Sequence, residues 1–182
     1  MEVILKKAPA AHQKFLENLE AVTKRDPRLL GVAISGSIAT GQADEQSDLD
    51  LQIVVEEKYF DEIMRERFAF TAQFGSIASQ FTGEHVGEPR LVIVLFEEAL
   101  LHVDFKFITL PAFADQRVED PLVLWERESL LTEQVRANPR EYPDPQVQWI
   151  EDRFWVWIHY AATKIKRERL SKLLMLYLGF VR

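Results

Sequence analysis

Cysteine is absent from the 182 residues, which excludes a disulfide framework and any thiolate metal site. No run of roughly 18 apolar residues occurs, so a membrane-spanning helix is not expected. Met1 to Lys7 is too short and too soon charged to read as a signal peptide. Positive charge is in the minority, with 22 Lys and Arg against 29 Asp and Glu and a formal net charge of −7. Chains that grip long nucleic acid present a basic patch, because phosphate contacts dominate that affinity. The balance here favours small or cationic substrates instead. Internal repeats and low-complexity tracts are also missing. What remains is a chain with 47% hydrophobic residues, too many for general disorder. It is long enough for one sizeable domain, or for a catalytic core with a small helical appendage. It reads as a soluble cytoplasmic protein.

One stretch organises the rest. An apolar run, Val32-Ala33-Ile34, ends in Ser35-Gly36-Ser37; a polar loop follows, and Asp48 and Asp50 then sit inside a strand-like segment ending at Val55. Period-two alternation puts Leu49, Leu51, Ile53 and Val55 on one face and both aspartates on the other. Two carboxylates one pleat apart repel each other unless a cation lies between them, and hard oxygen donors suit Mg²⁺. The plain alternative is a hairpin with a Gly-Ser turn and a solvated acidic face.

An apolar strand, Gly-Ser, a loop of about ten residues and Asp-x-Asp on the next strand resemble the nucleotidyltransferase superfamily, which includes DNA polymerase beta and the antibiotic nucleotidyltransferases. The resemblance covers about Leu29 to Leu110. It implies an α+β fold: a minimal nucleotidyltransferase core, a mixed or antiparallel sheet with flanking helices, followed by a C-terminal helical domain. The superfamily carries a third carboxylate on a later strand, and Asp104, flanked by Val103 and Phe105, matches that role. Its alternative is a half-exposed edge-strand acid or a cross-strand salt bridge. On the resemblance, two Mg²⁺ ions would be held by Asp48, Asp50 and Asp104. Gly36 and Ser37 would face the β and γ phosphates of a nucleoside triphosphate, ATP being expected. Ser47 is expected to close the loop rather than touch substrate. Relatives often carry a basic residue directly after Gly-Ser; here Ile38 follows Ser37, so Lys106 and Lys164 are the candidates for the missing charge.

Along the chain, Pro9 to about Lys24 reads as an amphipathic helix with Phe15, Leu16, Leu19 and Val22 inward. Glu57 to about Gln80 reads as a helix with Phe60, Ile63, Met64, Phe68 and Phe74 in the core. Leu91 to Phe96 and Leu100 to Leu110 read as strands, Pro111 to Asp120 as loop with a short helix, and Leu122 to Trp125 as a further strand. Three prolines between Asn138 and Pro145 mark a boundary. The divisions are therefore 1–137 for the catalytic domain, 138–145 for a linker and 146–182 for a helical domain that looks incomplete. Asp144-Pro145 makes a good N-cap and first-turn pair.

The helical part, Gln146 to about Tyr177, is rich in aromatics. Its Tyr160 to Lys164 segment resembles the one through which kanamycin-type enzymes offer a lysine to the nucleotide. Lys164 as a solvated helix residue is the competing reading. Glu151, Asp152 and His159 are candidates for the general base, against a helix-capping role for the acids and a packed one for the histidine. Excess apolar surface in this part predicts a homodimer with a shared site. The resemblance points to transfer of a nucleoside monophosphate, AMP being expected, onto a hydroxyl of a small molecule of the aminoglycoside or lincosamide type. Two alternatives stand beside it. One is protein adenylylation of the kind seen in antitoxin-like nucleotidyltransferases, and the other a regulatory domain that binds nucleotide without turnover.

Overall fold

The computed structural model describes residues 7–140 and 146–167. They fall into two units, one of 7–84 with 88–140 and one of 85–87 with 146–167.

The first unit is built on a six-stranded mixed sheet in the order β3-β4-β5-β2-β1-β6. Helix α1 (Ala10–Thr23) precedes β1 (Leu29–Ser35), and a short helix α2 (Gly36–Thr40) leads into the loop before β2 (Leu49–Val55). Helix α3 (Phe60–Thr71) is followed by β3 (Ile77–Gly83), β4 (Glu88–Phe96) and β5 (His102–Thr109). Then come α4 (Leu110–Gln116), β6 (Leu122–Glu126) and α5 (Leu130–Ala137). Among the described strands β2 and β5 form the one parallel pair; the other neighbours run antiparallel.

Alternation along β2 decides what each sheet face packs against. Leu49, Leu51, Ile53 and Val55 are all at most 1% exposed and join the larger core, with Phe15, Leu16 and Leu19 of α1 and Ile63 and Phe70 of α3. Phe15, Phe74, Phe96 and Phe105 pack ring against ring at its centre, with centroids 5.2–6.4 Å apart. On the opposite face Ala33, Val54 and Ile108 meet Phe113 of α4 and Leu131 of α5. Asp50 and Gln52 share that second face with Val54, so the acids lie where the cover of α4 and α5 runs out. A buried link ties α1 to β6: the Trp125 indole donates to Thr23 Oγ1 at 2.7 Å, and Thr23 donates onward to the Leu19 carbonyl at 2.6 Å.

Two expectations need correction. The helix expected over 57–80 stops at Thr71, and Ile77–Gly83 is an edge strand paired with β4. Gly75, at φ +156, breaks the helical course, and Phe68 is 37% exposed rather than core, while Phe70 takes the inward place. Helix α5, within a stretch read without a helix, is the second difference. It is anchored by Arg117, 4% exposed, whose guanidinium donates to the carbonyls of Phe113, Ala114, Gln134 and Asn138. Arg140, at the start of the expected linker, donates to the carbonyls of Asp115 and Arg117, both at 2.7 Å, so this part of 138–145 is pinned to the first unit.

The second unit is dominated by α6 (Val147–Lys166). Trp149, Phe154, Trp155 and Trp157 on it are exposed. Trp149 and Trp157 meet edge to face at 5.6 Å, and the Arg153 guanidinium lies 4.2 Å from the Trp149 ring centre. The Asp144-Pro145 cap and the leucines beyond residue 167 lie outside the described residues.

Candidate active site

The parallel pairing of β2 with β5 sets Asp50 directly beside Asp104, and the antiparallel pairing of β1 with β2 sets Ser35 on the other side of Asp50. Asp48 stands just before β2. Asp48 and Asp50, two residues apart, thus meet Asp104, far away in sequence, at one end of the central strands. Asp104 is the deep one, its side chain 21% exposed, and Asp48 the open one at 48%.

The acids oppose one another's charge. Burial, followed by the neighbouring charges of Asp48 and Asp104, pushes the Asp50 carboxyl up to about 6. Among the described residues His102, one pleat before Asp104 on the same face, is the basic side chain in contact with the cluster. Its Nε2 lies 3.0 Å from Asp104 Oδ1 and its Nδ1 3.9 Å from Asp48 Oδ2. Contact with Asp104 first, opposed by burial and aided by the charges of Asp48 and Asp50, raises the imidazole above its ordinary pKa. The His102–Asp104 contact has ion-pair distance without hydrogen-bond alignment, so Asp104 Oδ1 remains a buried oxygen with no hydrogen bond. A buried, unsatisfied carboxylate oxygen beside two further acids fits a hard divalent cation in donor chemistry. Among the described residues no three such side chains are already gathered about one point as a formed cation centre.

Gly36 is shaped by the same cluster. Its φ of +70 is a left-handed value that glycine adopts without strain, and a Cβ there would lie 2.7 Å from Asp50 Oδ2. The missing side chain is the space Asp50 occupies. The Gly36 amide, expected to face phosphate, donates to Glu119 Oε1 at 3.2 Å. A carboxylate therefore stands where sequence analysis expects an anionic phosphate oxygen. Glu119 projects from a turn locked by Arg117 and Asp120, whose side chains pair at 3.3 Å.

The loop between Gly36 and Asp48 closes on itself. The Gln42 amide donates to the Ser37 carbonyl at 2.9 Å, the Asp44 amide to Ser47 Oγ at 3.0 Å, and the Ser47 amide to the Asp44 carbonyl at 3.2 Å. Ser47 has the loop-closing place expected of it. Lys106 shares the Asp104 face, but its ammonium is 3.2 Å from Glu88, which also holds Arg90 at 2.7 Å. Lys164, Glu151, Asp152 and His159 lie on α6 in the second unit. Lys164 Nζ sits 4.3 Å from the Tyr160 ring centre, and Asp152 accepts from Gln148 at 2.7 Å. Sequence reasoning passed over His102 and Glu119. His102 had a readable signal, two residues before Asp104 on one strand face; Glu119 had none, because only the fold brings it to Gly36.

A family profile described as nucleotidyltransferase domain matches residues 16–109. No curated protein matches the chain.

Proposed function

Because this chain belongs to the nucleotidyltransferase domain family, we propose that it moves a nucleoside monophosphate, AMP, from ATP to a hydroxyl of a small molecule, an antibiotic being the type of acceptor in view. The observation that supports this reading is the in-register pair Asp50 and Asp104, with the buried Asp104 Oδ1 lacking a hydrogen-bond partner. In the reaction an acceptor oxygen forms a bond to the α-phosphorus, the bond to the β-phosphate oxygen breaks, and pyrophosphate leaves. The acceptor proton passes to a general base, for which Glu151, Asp152 and His159 of the helical part stand as candidates.

Asp48, Asp50 and Asp104 would hold two Mg²⁺ ions, which when bound neutralise charge on the phosphate oxygens and the leaving group. The remaining work belongs to the chain. His102 orients Asp104 from its open side. Gly36 keeps the wall beside Asp50 free and, with Ser37, offers polar groups to the phosphates once Glu119 withdraws from the amide. Lys164 supplies the positive charge that the loop after Ser37 lacks. The division into 1–137, 138–145 and 146–182 follows the same reading, with a homodimer joining the helical parts and the cytoplasm, where ATP is supplied, as the place of action.

The test is Mg²⁺-dependent pyrophosphate release from ATP with a panel of hydroxylated amines, run in parallel with candidate helical protein partners. Asp48→Ala and Asp50→Ala should each remove turnover while leaving the fold intact, a loss of about 3 kcal/mol or more of barrier stabilisation. Near-full turnover in either variant would refute the assignment. Transfer to protein partners alone would move the acceptor from small molecule to protein.

A further inference from the structure

Glu119 and Asp50 flank one residue from two directions. Glu119 Oε1 takes the Gly36 amide at 3.2 Å, and Asp50 Oδ2 lies 2.7 Å from the point a Gly36 Cβ would occupy. Gly36 in turn follows Ser35, which pairs in register with Asp50. We propose that Glu119 is a fourth acid of the cation site, leaving the Gly36 amide for the ion that Asp48, Asp50 and Asp104 hold, so that cation and phosphate binding are coupled. The assignment rests on the nucleotidyl-transfer reading above.

Electrostatic placement argues for it first. A carboxylate set near three others costs free energy unless a cation is shared among them. Among the described residues no lysine, arginine or histidine pairs with Glu119, and its hydrogen-bond partner is the Gly36 amide. Its charge reaches the cluster: burial, then Asp48 and Asp104, and then Glu119 against an opposing His102, act on the Asp50 carboxyl and keep it raised. One neutral amide at the long end of the hydrogen-bond range compensates such a charge weakly. A divalent ion at the acids is the largest local charge and outweighs that amide.

The turn decides which part can move. On one side of Glu119 the Arg117 side chain is fully buried and donates to the carbonyls of Phe113, Ala114, Gln134 and Asn138. On the other side the Asp120 amide donates to the Arg140 carbonyl, and Asp120 Oδ1 accepts from the Arg140 amide, both at 3.0 Å. With both neighbours held, the backbone at Glu119 stays in place. Its half-buried side chain exchanges partners by turning about its own torsions. Departure of the carboxylate uncovers the Gly36 amide, so the ion that draws Glu119 away also frees a donor for a phosphate oxygen.

The experiment uses the full chain labelled with ¹⁵N-glycine, which reports its seven glycine amides. The Gly36 resonance is identified by its loss in Gly36→Ala. The probe is Mg²⁺ alone, without nucleotide. In the native chain Mg²⁺ should move the Gly36 amide proton upfield, as a donor that loses its acceptor does. Glu119→Gln keeps the side-chain length and an acceptor for the amide but has no charge to follow the ion. In that variant the Gly36 proton should hold its hydrogen-bonded position, and calorimetry should give a Mg²⁺ affinity about tenfold weaker than native. The same shift in both chains, or equal Mg²⁺ affinity, overturns the assignment. Calorimetry of the native chain with Mg²⁺ and a non-hydrolysable ATP analogue separates the two readings. Normal analogue binding with an unmoved Gly36 amide defeats the role of Glu119 alone. Release of the amide by Mg²⁺ with no analogue binding defeats nucleotidyl transfer and leaves Glu119 in the cation site.

Discussion

Replacing Gly36 by alanine should damage catalysis far more than folding, and the geometry says by how much. At φ +70 an alanine carries the left-handed penalty of roughly 1–2 kcal/mol. Its Cβ would also meet Asp50 Oδ2 at 2.7 Å, closer than atoms in ordinary van der Waals contact. The obstructing atom is the end of a side chain, so the carboxylate moves and the strands stay. A displacement near 1 Å of a group that must hold a reacting centre costs about 100-fold in rate. Gly36→Ala should therefore lower stability by about 1–2 kcal/mol in urea unfolding and lower pyrophosphate release by about 100-fold. Gly36→Asn separates the two effects, because asparagine tolerates left-handed φ yet still carries a Cβ. It should regain much of the stability and none of the rate. Recovery of near-native turnover in the asparagine variant would refute the claim that the absent side chain is space reserved for Asp50.

Glu119→Gln should tighten binding of a non-hydrolysable triphosphate several-fold in calorimetry, since a carboxylate on the Gly36 amide competes with phosphate by about 1 kcal/mol at a partly exposed position; unchanged affinity would mean that the phosphates lie elsewhere. Glu88 supplies the pH dependence. Arg90 first, and then Lys106, hold its carboxyl down at about 2 from an ordinary 4.5. The lowered value stabilises the fold above about pH 4.5, and that contribution fades as pH falls through 2. Allowing for solvent screening, Glu88→Gln should cost about 1 kcal/mol at pH 7 in urea unfolding, with the difference from the native chain vanishing near pH 2; a constant difference across that window would contradict the pairing. The proposed homodimer should scatter light at twice the chain mass at micromolar concentration, and Trp155→Glu, at a 72% exposed residue of α6, should shift it to monomer; a native monomer with full transferase activity would end that proposal.

The stretch from Val32 to Val55 was legible because two local signals coincide there: a strand broken at Gly-Ser and a clean period-two alternation. Asp104 could be picked out because an acid between Val103 and Phe105 conflicts with its surroundings. That it would join Asp48 and Asp50 came from the family resemblance alone; the register that sets it directly beside Asp50 could not be read, since strand pairing across a long crossover leaves no trace in local pattern. The helix expected over 57–80 ran too far for a different reason. Phe68, Phe70 and Phe74 keep aromatic residues coming at near-helical spacing, and β3 beyond them is a half-exposed edge strand whose Ser79, Gln80 and Thr82 give little hydrophobic contrast. His12 looked like one more residue of an amphipathic helix. Its burial, and the 2.7 Å contact of its Nε2 with the Ser47 carbonyl, come only from the loop folding against α1.

The parallel junction between β2 and β5 also has a consequence in time. Two strands that run the same way cannot be joined by a tight turn, so α3, β3 and β4 must all be laid down before Asp104 reaches Asp50. Contacts of this span form late and slowly, after the local hairpins have closed. A chain emerging from synthesis would therefore carry Asp48 and Asp50 as ordinary solvated acids until residue 109 is available. Their mutual repulsion, and any affinity for a divalent ion that depends on Asp104, would arise only at that closing step. No fragment ending before β5 should bind the cation as the whole sheet does, however well its first two strands are formed.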